Sequence, residues 1–277
     1  MKKNHSAKLL LICLSCLLTF LAGCGITMSN QAGQAKYERA VQLSAPLSSA
    51  PTFAVKNHNG SITIGSTGID DCNLSATITA RAATIEEARE LAEKTKIKLE
   101  RFGNKLTAKI DKPGFGDNRV SVNLNAKVPR QTNLELLVHN GAIEITDIAG
   151  RIDATTYNGE VTAKKLSGTT KVETHNGSIT CMGISGDTRL VTYNGNVKTD
   201  CSEATRSNYE ITIVTHNGGI EFVAPPDLSA RLNISTQNGS VNSDLPISVS
   251  RSQLKGTIGT GQGKLHLETH NGSVRIQ

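Results

Sequence analysis

Asn-Gly occurs eight times in this chain of 277 residues, as Asn59-Gly60, Asn140-Gly141, Asn158-Gly159, Asn176-Gly177, Asn194-Gly195, Asn217-Gly218, Asn238-Gly239 and Asn271-Gly272. Four successive copies, from Asn140 to Asn194, stand eighteen residues apart. Self-similarity at a fixed period marks a repeat protein, in which one unit cannot bury its own apolar face and must stack on its neighbours. The period therefore constrains the architecture before any single residue is interpreted.

Aligning the copies on the Asn shows what each unit is. Thr precedes it by two positions in six copies (Thr156, Thr174, Thr192, Thr215, Thr236, Thr269), and a mostly apolar residue precedes it by four (Val55, Leu136, Ala154, Val172, Leu190, Ile213, Ile234, Leu267). Three positions after it, every copy carries Ile62, Ile143, Val161, Ile179, Val197, Ile220, Val241 or Val274. This is the strand period of two with β-branched residues on one face, so the unit reads as strand, Asn-Gly corner, strand. The corner is expected to need positive φ, which Gly adopts freely and Asn tolerates.

A second turn recurs at the same offset in Ile148-Ala149-Gly150, Leu166-Ser167-Gly168 and Ile184-Ser185-Gly186. Two short strands and two turns per unit fit one rung of a β-solenoid, a parallel β-helix of about eighteen residues per rung. They also fit an antiparallel β-meander or sandwich, which Asn-Gly favours locally as a hairpin turn. Constant length favours the solenoid, because stacked rungs about 4.8 Å apart must match one another. The predicted class is all-β with a small α+β cap. With nine aromatic residues and no Trp, its core must be built from Ile, Val, Leu, Thr and Ala.

The amino terminus carries an address. Lys2 and Lys3 precede an apolar run from Leu9 to Leu21 that is too short to span a membrane as a helix, and Leu21-Ala22-Gly23-Cys24 follows. This resembles the bacterial lipobox, which implies a lipoprotein signal peptide over residues 1–23 and acylation of Cys24 as the new first residue. Gly25 after the Cys implies the outer membrane if the host has one. Removing the leader also removes three lysines, leaving 27 basic against 24 acidic residues. That balance gives no nucleic-acid footprint.

Residues 24–50, rich in Ser, Ala, Gln and Gly, read as a flexible tether, with the folded domain spanning 51–277. The repeat is interrupted at about 66–130. There, Leu74 to Ala80 reads as a strand, and Thr84-Ile85-Glu86-Glu87 as a capping box opening a helix with Ile85, Ala88, Leu91 and Ala92 on one face. Strands are expected at Ile97–Glu100, Leu106–Ile110 and Val120–Val128. Such a segment would close the open end of the solenoid, whose backbone would otherwise be unpaired; the alternative is a separate α+β subdomain. Regular repeats then occupy about 131–277.

Taken together, Phe53-x-Val55, Asn59-Gly60-Ser61-Ile62-Thr63-Ile64, the Glu-rich helix, Val128-Pro129, Asn133-Leu134-Glu135-Leu136 and the repeated Asn-Gly-x-Ile/Val units resemble the bacterial putative-adhesin domain family. The resemblance covers about residues 51–277. It implies a β-helix-like, envelope-associated protein and supplies no catalytic residue, ligand or cofactor.

Little else points to chemistry. His58, His139, His175, His216 and His270 each precede Asn-Gly, which invites a metal or pH-sensing column. His139, Tyr157, His175, Tyr193 and His216 alternate, however, so successive His should lie two rungs apart, too far to share an ion. A solvated or stacked polar ladder is expected, in which loss of His175 is nearly silent. Of the three cysteines beyond the leader, Cys181 shares an inward column with Ile145, Ala163 and Phe222, while Cys72 and Cys201 lie outside it. An oxidising destination allows one disulfide and one free thiol. Asp70-Asp71 reads as a solvated acidic turn. The expected function is that of a lipid-anchored, non-catalytic envelope binding or scaffolding protein, adhesin-like, needing no cofactor. Its rows of Thr, Asn and His would present a flat polar face to an envelope glycan or protein. The alternatives are a polysaccharide-acting β-helix enzyme or a metal-binding or pH-sensing protein working through the His-Asn-Gly ladder.

The lipobox yields a direct test. Cys24→Ser, or globomycin treatment of cells, should stop maturation and leave the full precursor, whereas an unchanged mature mass in both cases would exclude acylation at Cys24.

Overall fold

The computed structural model describes residues 35–47, 51–114, 118–201, 209–248 and 250–277. In chain order the first part holds β1 (Ala35–Pro46), β2 (Thr52–Asn59), β3 (Ile62–Thr67), β4 (Asp71–Ala82), α1 (Ile85–Lys94), β5 (Lys96–Phe102), β6 (Lys105–Asp111) and β7 (Val120–Pro129). The repeats follow as β8 (Asn133–Asn140), β9 (Ile143–Thr146), β10 (Ile152–Asn158), β11 (Val161–Ser167), β12 (Thr170–Asn176), β13 (Ile179–Ser185), β14 (Thr188–Asn194) and β15 (Val197–Asp200). The last part holds β16 (Glu210–Asn217), β17 (Ile220–Val223), β18 (Ala230–Asn238), β19 (Val241–Ser243), β20 (Gln253–Thr257), β21 (Gly263–Asn271) and β22 (Val274–Ile276).

These strands form two sheets of eleven, ordered β1-β4-β7-β3-β9-β11-β13-β15-β17-β22-β19 and β20-β18-β21-β16-β14-β12-β10-β8-β2-β6-β5. Each rung gives one strand to each sheet, and the Asn-Gly corner is where the chain crosses between them. From β8 to β17 the neighbours along each sheet are parallel and in register, Asn140 beside Asn158, Asn176, Asn194 and Asn217 in turn, whereas β20 closes the second sheet antiparallel to β18. The protein is thus a two-sided β-solenoid, and the meander alternative fails because a corner joins two sheets instead of two neighbours in one.

Alternation fills the space between the sheets. The column three residues past the Asn and the apolar column four before it are buried throughout. Cys181 lies between Ala163 and Thr199 in an inward column that continues to Phe222, so its thiol is a core group.

The cap is part of the same body. Antiparallel β4 and β1 extend the first sheet beyond β7, β6 and β5 extend the second, and their inward residues join the one core cluster. Helix α1 begins where expected, with Thr84 Oγ1 accepting from the Glu87 backbone N–H at 3.2 Å and Ala88 and Ala92 buried. One sequence expectation is corrected. Ala35–Pro46, assigned to the flexible tether, is a twelve-residue edge strand paired with β4. Its Val41, Leu43 and Ala45, with Leu47 just beyond it, do alternate toward the core, but in a setting of Ala, Ser and Gln that masks the pattern. Cys24 and the leader lie outside the described residues, as does the tether before Ala35.

Two further expectations about the corners are revised. None of the corner Asn has positive φ, and of their glycines only Gly60, Gly141, Gly218 and Gly272 do. What excludes a side chain at every corner is proximity, since a Cβ on Gly177 would run into the carbonyl of Gly159 one rung away, and Gly159, Gly195 and Gly239 meet the same obstacle. The recurring Thr, expected on the outer face, points inward instead. In six rungs its Oγ1 donates to the corner Gly carbonyl of the adjacent rung at 2.7–2.9 Å. Where Val138 stands in place of Thr, Asn57 Nδ2 donates to the Gly60 carbonyl at 3.0 Å instead. A buried carbonyl left without a donor would be costly, which accounts for the exchange.

These corners predict a ranking in denaturant midpoints. Ile179→Ala should cost roughly 2–5 kcal/mol by lost burial and a cavity. Gly177→Ala should cost at least about 1–3 kcal/mol, because the added methyl meets stacked backbone that cannot move without breaking neighbouring rungs. A silent Gly177→Ala would refute the close stacking of the corners.

Candidate binding groove

The corner residues produce two continuous rows. In the first, each Asn Nδ2 donates to the Asn Oδ1 of the neighbouring rung at 2.7–2.9 Å, joining Asn59, Asn140, Asn158, Asn176, Asn194, Asn217, Asn271 and Asn238 in that order. The row inverts sequence order at its end, because β21 and β22 insert between the rungs of Asn217 and Asn238. The asparagines therefore bond one another along the row while most stay exposed, and it is the Thr of the expected polar face that is missing from the surface.

The second row is made by the residue before seven of the eight Asn, which points outward, Gln237 standing in the eighth. His58, His139, Tyr157, His175, Tyr193, His216 and His270 stack with ring centroids 4.6–5.1 Å apart and planes within 17°. Six such steps make a ladder roughly 30 Å long, set by the strand spacing. The stacked ladder expected from sequence is present, with one correction. His does not only alternate with Tyr, since His58 meets His139 at 4.8 Å and His216 meets His270 at 4.6 Å. Among the described residues no group of three or more His, Cys, Asp or Glu is placed to hold a metal ion.

Stacking covers the ring faces and leaves only their edges to solvent. The ladder thus offers imidazole nitrogens and the Tyr157 and Tyr193 hydroxyls, and it is no platform on which a sugar or base could lie. Beside it runs the outward column three residues before each Asn, comprising Lys56, Leu137, Thr155, Glu173, Val191, Val214 and Glu268. Together with Ile110, Asp111 and Lys112 at the cap end these line a groove of about 1240 Å³. Leu137 is 44% exposed, unusual for a Leu on a sheet with polar neighbours. Sequence reading missed this column, although Leu137, Val191 and Val214 are apolar residues in the outward phase of an alternating strand, which was the available signal. Charges in the groove are mixed, and Glu173 is paired with Lys171 at 3.3 Å.

Burial pushes the thiols of Cys72, Cys181 and Cys201 up to about 12, and all three are free. They are core groups and not nucleophiles at neutral pH. His58 is held below its ordinary value of 6.5, first by burial and then by repulsion from His139 and Lys112.

The family profile of Toastrack DUF4097 matches residues 27–277. The chain belongs to this family. No curated protein matches it. Solved structures similar to this Toastrack chain include a "putative cell adhesion protein" from Clostridium sporogenes, at 14% identity and TM-score 0.39, with 86% of this chain and 98% of that one covered. A "putative adhesin" from Bacteroides fragilis is 12% identical with TM-score 0.38, covering 91% of this chain and all of its own. A "putative lipid binding protein" from Parabacteroides distasonis is 13% identical with TM-score 0.34, covering 86% and 96%.

The stack changes what is expected of its members. His175 touches Tyr157 at 4.7 Å and Tyr193 at 5.1 Å, so His175→Ala removes two ring contacts from mid-ladder. It should cost about 1 kcal/mol in a denaturant titration instead of being silent. The His58 end of the ladder should also lose stability in acid. Because the His58 pKa is lower folded than unfolded, the unfolded chain takes up this proton first. Its contribution to stability is complete above about pH 6.5 and is lost as the pH falls from there through the folded value. Midpoints that rise on acidification over that range would contradict this sign.

Proposed function

We propose that the protein is a non-catalytic, adhesin-like binding protein of the cell envelope, held at a membrane by acylated Cys24 and receiving an extended ligand along the ring-lined groove. The observation that carries the reading is the ladder itself. A row of hydrogen-bonding ring edges repeats every 4.6–5.1 Å beside a column holding Leu137, Val191 and Val214. A ligand with its own repeat, such as an envelope glycan or an extended polypeptide, can contact several rungs at once, and many weak contacts in series add to useful avidity. Mixed charge in the groove argues against a strongly charged polymer.

The lipobox supports the membrane address, and two acyl chains supply about 0.8 kcal/mol per buried CH₂, enough for stable anchoring. From Cys24 to β1 the chain can reach no more than roughly 40 Å. The groove would then sit close to the membrane surface, where envelope polymers pass. The reading is compatible with the adhesion and lipid-binding names that structural neighbours bear. The three described thiols are buried in the core and offer no nucleophile to the groove, which supports a binding role.

Outward substitutions test the groove without touching the core. Val191→Lys and Val214→Lys together should lower retention on isolated envelope material by about tenfold, the equivalent of one well-buried contact. Wild-type retention by the doubly substituted protein would remove the groove from the binding surface.

A further inference from the structure

The two polar rows at the corner are directional, and their direction singles out one rung. The corner Gly N–H donates to the Asn carbonyl of the neighbouring rung in seven cases, from Gly60 to Asn140 through Gly218 to Asn271 and Gly272 to Asn238, at 2.9–3.1 Å. Each of the seven corresponding Asn side chains also has its Oδ1 occupied by the next Nδ2. Both rows end at Asn238-Gly239. Among the described residues no acceptor meets the Gly239 N–H and no donor meets Asn238 Oδ1. Gly239 is also exposed, where the other seven corner glycines are half-buried. Residues 251 and 252 cover Val241 and Thr236 on either side and leave the corner itself open.

We propose that Asn238-Gly239 is a site of spontaneous modification, at which the Asn238 amide is converted to a carboxylate through a cyclic imide while the other seven Asn-Gly pairs are protected by the ladder. The Gly239 N–H gives its proton to solvent hydroxide, and the nitrogen attacks Asn238 Cγ. A Cγ–N bond forms, the Cγ–Nδ2 bond breaks, and Nδ2 takes a proton from water and leaves as ammonia, which restores the hydroxide. Water then opens the five-membered imide at either carbonyl, giving aspartate or its β-linked isomer, so that one amide and one water become one carboxylate and one ammonium. Gly is the most permissive successor for this attack because it has no Cβ to hinder approach. In the seven inner corners the attacking N–H is bound to a carbonyl and the Asn side chain is held at both ends, so neither the proton loss nor the rotation of Cγ toward nitrogen can occur without opening a rung. At Asn238, among the described residues, the single bond from Nδ2 to Asn271 Oδ1, 2.8 Å, restrains the side chain. Conversion deletes that donor and leaves two oxygens facing each other, which loosens the last rung.

The test is peptide mapping by mass spectrometry of the purified full-length chain held at mildly alkaline pH, folded and in denaturant, reading exchange of NH2 for OH at each Asn-Gly. In the folded protein Asn238 should react at least about fivefold faster than the mean of the other seven, the factor corresponding to one ordinary hydrogen bond. In denaturant the eight rates should converge. Equal rates in the folded protein, or an Asn238 that reacts only in denaturant, would overturn the proposal.

Discussion

Contact between corner backbones, glycine against glycine one rung apart, is the constraint from which the rest follows. No Cβ fits between Gly159 and Gly177 or at the equivalent positions, so each rung must turn with the same residue at the same place. Once the corners are stacked, the Asn side chains come within hydrogen-bonding distance of one another, and the preceding rings come within stacking distance. The Thr hydroxyls come beneath the carbonyls that the turn would otherwise leave unpaired. The eighteen-residue period is the sequence record of that contact, because a rung of another length would not return its glycine to the same spot unless the extra residues looped out at the far side. The rung between Asn194 and Asn217 is longer by five residues and still registers, its strands pairing in the same frame.

The solenoid, the inward Ile and Val columns and the helix at Thr84 were legible because each rests on a local period or a local cap. The corner geometry was misread for a physical reason. Asn-Gly carries the same signature in a hairpin and in a stacked corner, and only the presence of a neighbouring rung distinguishes a positive-φ requirement from a steric one. Thr was placed outside on its polarity, yet its hydroxyl serves a buried carbonyl. Strand β1 escaped notice because its apolar residues are few and it borrows its order from β4 and α1. The groove was invisible for a related reason. Leu137, Val191 and Val214 come from different rungs and become a column only after the register is known.

A stack of aromatic and imidazole rings in a protein poor in aromatics also limits what its surface can recognise. With faces consumed by neighbours, selectivity must come from edges, from hydrogen-bond direction and from the spacing fixed by the backbone. A ligand held along it, as proposed above, would be read by its pitch more readily than by the identity of its units.

The order of the last rungs has a consequence for how the chain is made. The strands at 263–276 lie inside the pair that precedes them in sequence, so the stack cannot be completed in the order in which residues leave the ribosome. Either the rung of Asn238 stays undocked while the intervening residues are synthesised, or it docks on the rung of Asn217 and must later be displaced. The other end shows the same feature, with β7 seated between the earlier β3 and β4, so stacking order follows sequence order only along the rungs from Asn140 to Asn217.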